Sequence, residues 1–125
     1  MATVLVVDDE FGISELLEAL LIDEGHRVLT AANGRQALER MGEARPDLVI
    51  SDLMMPVMDG ATLLRLMRES PEWRDIPFVL MCALPEAHVR DRLVGAYQGF
   101  MRKPFRMDDV VDFVDRLLAG GEGRA

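Results

Sequence analysis

The chain is short of cysteine, of aromatic residues, of basic charge and of long apolar runs, and each shortage closes off a class of protein. Cys82 is its only cysteine, so no disulfide can form within the chain, and a small disulfide-stapled scaffold is excluded. With two histidines, His26 and His88, and one cysteine, no Cys/His cluster at zinc-ligand spacing is present. Aromatics make up 6% of the residues while half are hydrophobic. The core must therefore be built from Leu, Val, Ile, Met and Ala. Lys and Arg number 14 against 22 Asp and Glu, for a formal charge of -8. Such a chain repels a phosphate backbone, so direct nucleic-acid binding is disfavoured. No apolar run approaches the roughly 20 residues needed to span a bilayer. The N-terminus has no basic segment followed by an apolar run, so no signal peptide is read there and a cytoplasmic protein is expected.

The 125 residues suit one compact domain over residues 1–119. Gly120-Gly121-Glu122-Gly123-Arg124-Ala125 reads as a flexible tail or the start of a linker. Within the domain, short apolar runs alternate with helical patterns. The runs are Val4-Leu5-Val6-Val7, Val28-Leu29 with Ala31, Leu48-Val49-Ile50, Phe78-Val79-Leu80-Met81, and a weak one at Phe100-Met101. They lack polar alternation, as strands buried on both faces of a parallel sheet do. Between them, Ile13, Leu16, Leu17, Leu20 and Leu21 form the stripe of a one-sided helix, and Val110, Phe113, Val114, Leu117 and Leu118 repeat it. Ala37, Leu38 and Met41, and Leu63, Leu64 and Met67, give shorter versions. The stretch from Glu86 to Ala96 is less regular, with Pro85 placed at a helix start. Gly25, Asn33-Gly34, Pro46, Asp59-Gly60, Ser70-Pro71 and Pro77 punctuate these elements.

Five strand–helix units in strict alternation predict right-handed crossovers and an open, doubly wound sheet with helices on both faces. Such sheets bind ligands beyond the carboxyl ends of their strands. The polar residues obey that rule. Asp8, Asp9 and Glu10 follow strand 1, Asp52 follows strand 3, Cys82 follows strand 4 and Lys103 follows strand 5. Carboxylates gathered in one cleft repel each other, so one takes a proton or a cation sits among them. Oxygen donors suit a hard ion, and magnesium above all. Lys103 can hold a phosphoryl oxygen, and Asp52 is a carboxylate able to attack phosphorus.

Three motifs then resemble the receiver domain of bacterial response regulators: Val6-Val7-Asp8-Asp9-Glu10, Asp52-Leu53-Met54-Met55-Pro56-Val57-Met58-Asp59-Gly60, and Lys103-Pro104-Phe105. The likeness runs from about Thr3 to Leu118. It implies a flavodoxin-like sheet in the order 2-1-3-4-5. Asp52 would be the phosphoacceptor. Asp9 would bind Mg2+ directly, Asp8 directly or through water, and Met54 by its backbone carbonyl. Lys103 would contact the phosphoryl group across a cis bond to Pro104, and Phe100 would be the switch aromatic. The resemblance further implies a histidine kinase or phosphotransfer protein as donor, and a downstream protein partner meeting the helix 4–strand 5–helix 5 face. It leaves room for a weak homodimer through that face. Turnover would be limited to the chain's own phosphorylation and dephosphorylation.

The chain departs from the family pattern twice. Cys82 stands where the family has Ser or Thr, and a thiol is a weaker donor. Gly95-Ala96-Tyr97-Gln98-Gly99-Phe100 carries one residue more than usual, which makes Tyr97 a rival to Phe100. The first departure feeds an alternative: a degenerate receiver that binds proteins without phosphorylation. An aspartyl phosphatase resembles the site too, but Met54 stands where such enzymes place a general acid. A flavin-binding protein would need a Ser/Thr/Gly-rich phosphate loop after strand 1, and none is there. Met54, Met55 and Met58 otherwise read as loop and core packing, and His26 and His88 as surface residues.

Overall fold

The computed structural model describes residues 1–120 and the backbone of Gly123–Arg124. The elements run in alternation: β1 (Thr3–Val7), α1 (Phe11–Asp23), β2 (Arg27–Ala31), α2 (Gly34–Glu43), β3 (Leu48–Asp52), α3 (Gly60–Glu69), β4 (Phe78–Cys82), α4 (Glu86–Val89), β5 (Gly99–Arg102) and α5 (Met107–Leu118). The strands are parallel and ordered β2-β1-β3-β4-β5. Beyond the five expected strands, the backbone of Gly123–Arg124 forms β6, two residues long and parallel to β5. Residues 121, 122 and 125 of the expected tail lie outside the described residues.

Strand alternation sorts the apolar residues into two layers. Leu5, Val7, Val49, Phe78, Leu80 and Phe100 face one way and pack with Ala37 and Met41 of α2 and Leu63, Leu64 and Met67 of α3. Val4, Val6, Leu48, Ile50, Val79, Met81 and Met101 face the other way. They meet Leu17 and Leu21 of α1 and Val110, Phe113, Val114 and Leu117 of α5. Both sides of the central strands are therefore covered, which is why their sequences carry no polar alternation. One stripe residue departs: Leu16 is 44% exposed, because α1 buries a narrower face than its apolar pattern suggests.

The punctuation acts locally as its chemistry requires. The Asn33 side chain accepts from Gln36 N–H and Asp59 from Thr62 N–H, so both helices start on a capped turn. Gly25 closes α1 at φ +90°, a conformation that L side chains resist.

The segment after β4 is the least regular part. Helix α4 has four residues, followed by a single 3-10 turn at Arg90–Arg92. Val89 is the one buried side chain of α4, so the segment lacks the apolar stripe that would hold a longer helix on the sheet. Arg68, at the end of α3, secures the chain between that turn and β5. Its guanidinium donates to the carbonyls of Ala96 (2.7 Å), Ile76 (2.9 Å) and Arg74 (3.1 Å), and to Gln98 Oε1 (3.0 Å). Gln98 Oε1 also accepts from Phe78 N–H, and Gln98 N–H donates to the Phe78 carbonyl. The entry to β5 is thus pinned to the entry of β4 through one half-buried cation.

Candidate functional site

The carboxyl ends of β1, β3, β4 and β5 line the edge where the strand order reverses, between β1 and β3. Main-chain bonds fix the loops there. Asp8 N–H donates to Ala31, Leu53 N–H to Met81, and Lys103 N–H to Cys82. Gly60 lies so close to Asp52 that a Cβ would overlap the Asp52 carbonyl oxygen. The first turn of α3 is thereby pressed against the end of β3.

Into this frame come three acids and one cation. Asp8 and Asp52 are both buried. Lys103 Nζ lies 3.1 Å from Asp8 Oδ2, 3.2 Å from Asp52 Oδ2 and 3.8 Å from Glu10 Oε1. Glu10 N–H donates to Asp8 Oδ1 at 2.9 Å, which locks the Asp8 carboxylate. Oxygens of Asp8, Glu10 and Asp52 all fall within 4.8 Å of one another. Burial raises the pKa of Asp52, helped by the neighbouring Asp8 charge. Lys103 and a backbone bond from Met54 pull it down without overcoming that rise. Lys103 is pushed the other way. Burial disfavours its ammonium, but Asp52 and Asp8 outweigh burial and its pKa is raised.

The sequence expectations meet this geometry unevenly. Asp8, Asp52 and Lys103 come together as expected, and the Lys103–Pro104 bond is cis. Asp9 is exposed and lies outside the three-acid group. The chain bends at Asp9, just beyond β1, and Glu10 rather than Asp9 comes within reach of Asp8 and Asp52. Glu10 takes the third place in that group, and no signal in the sequence separates it from Asp9. Met54 is exposed at the cleft edge. The Cys82 thiol is buried and accepts from Leu84 N–H at 3.3 Å, so it bonds to its own loop. Phe100 is buried in the core, packed with Cys82 and Val89. Tyr97 is half-buried and its hydroxyl donates to Glu86 Oε2 at 2.7 Å.

The conformation of Val57 left no signal in the sequence. It sits at φ +69°, in a three-residue turn closed by Met58 N–H donating to the Pro56 carbonyl at 2.7 Å. A β-branched residue is strained there. The turn brings Met58 against Gly34, whose N–H donates to the Met58 carbonyl.

Residues 4–115 match the family model described as the response regulator receiver domain. The chain belongs to that family. It is 38% identical over 117 residues to sporulation initiation phosphotransferase F of Bacillus subtilis, covering 92% of each chain. Several other curated relatives are longer, and the chain spans about half or less of their length. Among solved structures, the receiver domain of a signal-transduction histidine kinase from Syntrophus aciditrophicus matches at TM-score 0.89 and 34% identity, over 96% of this chain and 92% of that one. The receiver domain of a sensor histidine kinase of Pseudomonas aeruginosa matches at TM-score 0.86 and 26% identity, over 94% and 98% of the two chains. Its cleft holds a coordinated magnesium ion. As a receiver domain, this chain is a two-component signalling module, a class that takes phosphoryl groups from histidine kinases or phosphotransfer proteins. Among the described residues no helix is long and apolar enough to cross a membrane.

Proposed function

We propose that Asp52 accepts a phosphoryl group from the phosphohistidine of a sensor kinase or phosphotransfer protein. The observation that carries this reading is the Lys103 ammonium held between the buried carboxylates of Asp52 and Asp8. An oxygen of Asp52 attacks phosphorus, the P–N bond breaks, and its electron pair stays on the donor imidazole. Lys103 faces the position that a phosphoryl oxygen then occupies and offers it positive charge. Asp8 holds Lys103 in place, and the Glu10 N–H holds Asp8.

The donor set fits magnesium. It consists of oxygen atoms, three acids face one ammonium, and their oxygens converge within 4.8 Å. Asp8, Asp52 and the Met54 carbonyl would hold the ion, with Glu10 within reach and Asp9 joining from the rim. Magnesium would offset the acid charge and that of the incoming phosphoryl oxygens. Turnover is confined to the chain's own phosphorylation and dephosphorylation, because Met54 supplies no general acid at the leaving-group position.

Added charge at Asp52 would be read out on the face of α4, β5 and α5, the face for a downstream partner or a weak homodimer. Two features favour a second reading, a degenerate receiver that binds proteins independently of phosphorylation. The Cys82 thiol is already bonded to Leu84 N–H, and α4 offers four residues. Treating the protein with acetyl phosphate and magnesium, then measuring intact mass, separates the readings. Gain of one phosphoryl group, absent in Asp52→Asn and in EDTA, supports the first. No gain supports the second. Multiple-turnover hydrolysis of a phosphate ester would overturn the limit on turnover. Amide shifts on the α4–β5–α5 face, compared between wild type and Cys82→Thr with a phosphoryl mimic, show whether Cys82 permits switching.

A further inference from the structure

Val57 is the one non-glycine residue at positive φ among the described residues. A β-branched residue keeps such a conformation only where its surroundings over-determine it. Burial does not compensate, because the side chain is exposed and belongs to neither core layer. The strain is therefore imposed by the backbone on either side.

The turn is held from outside. Pro56 fixes its own φ and restricts Met55. Met58 N–H closes the turn onto the Pro56 carbonyl, and the Met58 carbonyl accepts from Gly34 N–H at 3.0 Å. The Met58 side chain lies so close to Gly34 that a Cβ there would overlap its Cγ. Just beyond, Asp59 caps α3, and Gly60 N–H donates to the Leu53 carbonyl at 2.9 Å. The loop from Leu53 to Gly60 is thus closed at its base.

The near end of this loop is part of the acid cleft. Met54 bonds through its backbone to the Asp52 carboxylate. To offer its carbonyl to a cation shared with Asp52, the Met54 peptide has to be re-aimed. Leu53 cannot follow, since its N–H is held by the Met81 carbonyl and its own carbonyl holds Gly60. The adjustment falls between Met55 and Met58, where the strained turn loses least by yielding.

We propose that the Val57 turn is a strained clasp that relaxes when the acid cleft takes a divalent cation, so that strain in the empty protein favours the loaded one. Val57 is then a positioning residue. It acts through the Met54 carbonyl and touches neither the ion nor a phosphoryl group. The inference rests on the reading that Asp8, Asp52 and Met54 hold magnesium. Its consequence is a linkage: a ligand shifts an equilibrium only by its differential affinity for the two states. Strain relieved in the empty protein by substitution is lost from the affinity for the ion.

The test is magnesium titration of the full chain by amide NMR, beside urea unfolding in EDTA, for wild type, Val57→Gly, Val57→Asn and Val57→Ile. Glycine adopts positive φ freely and asparagine tolerates it, whereas isoleucine keeps the β-branch. Val57→Gly should be more stable than wild type without metal, yet bind magnesium about fivefold more weakly, the scale of one strained residue. Val57→Asn should fall between the two, and Val57→Ile should match wild type in both measurements. A turn with a structural role alone would leave the magnesium Kd unchanged while stability moved. Equal Kd values in wild type and Val57→Gly, a Val57→Gly protein less stable than wild type, or weakened binding in Val57→Ile would overturn the proposal. Absence of saturable shifts at residues 8, 10, 52 and 54 of wild type would overturn the magnesium reading itself, and the clasp with it.

Discussion

Replacing Asp52 by Asn should stabilise the magnesium-free protein at neutral pH. The Lys103 ammonium at 3.2 Å attracts the Asp52 carboxylate by about 5 kcal/mol at an effective dielectric near 20. Asp8, with oxygens within 4.8 Å, repels it by about 3.5 kcal/mol or more on the same scale. Glu10 adds to the repulsion at the same reach, reduced by its exposure to solvent. Attraction and repulsion therefore nearly cancel, and burial of the Asp52 charge decides the sign. Asn keeps the shape and removes the charge, for an expected gain of about 1–2 kcal/mol, or several degrees in Tm. The pH dependence has a definite sign. Asp52 has a folded pKa above its unfolded value, so its contribution is favourable at acid pH and is lost as pH rises through the folded pKa. The gap between Asn variant and wild type should thus be small in acid and open toward neutrality. Saturating magnesium should close it, because the ion binds the wild-type carboxylate set more tightly. Urea unfolding across pH, with EDTA and with magnesium, measures both the gap and its closure. An Asn variant less stable than wild type by about 1 kcal/mol or more at neutral pH would mean that the Lys103 pair dominates, and the reasoning would fail.

Other substitutions probe the frame around the site. Gly60→Ala puts a Cβ onto the Asp52 carbonyl and should cost about 2–3 kcal/mol in urea unfolding, with slower acetyl-phosphate labelling of Asp52. Val57→Gly relieves the strained turn at φ +69° while sacrificing little, since Val57 is 77% exposed. A net gain of about 1 kcal/mol is expected, and a loss would show that the turn is unstrained. Arg68→Met takes one donor from each of four acceptors, of which Gln98 Oε1 keeps the Phe78 N–H, and should cost about 2–3 kcal/mol, with faster amide exchange at Phe78 and Gln98.

The layered sheet was legible because its signal is local and repeated. Three β-strands announced themselves as uninterrupted apolar runs, β2 and β5 more weakly, and α1 and α5 by stripes whose spacing matches one helix face. The caps at Asn33 and Asp59 needed only their own three following residues. Asp8, Asp52 and Lys103 were readable from one rule, that residues after parallel strands share an edge. The exposed Leu16 shows where pattern outran packing: an apolar stripe does not say how wide a face its neighbours will cover.

What tertiary structure alone decided concerns directions and distances between segments remote in sequence. Whether Asp9 or Glu10 turns toward Lys103 depends on the exit angle of the chain from β1. Both residues have the right chemistry, so composition could not choose. The shortness of α4 and its replacement by a loop held on Arg68 depend on contacts 28 to 30 residues apart, which no local pattern encodes.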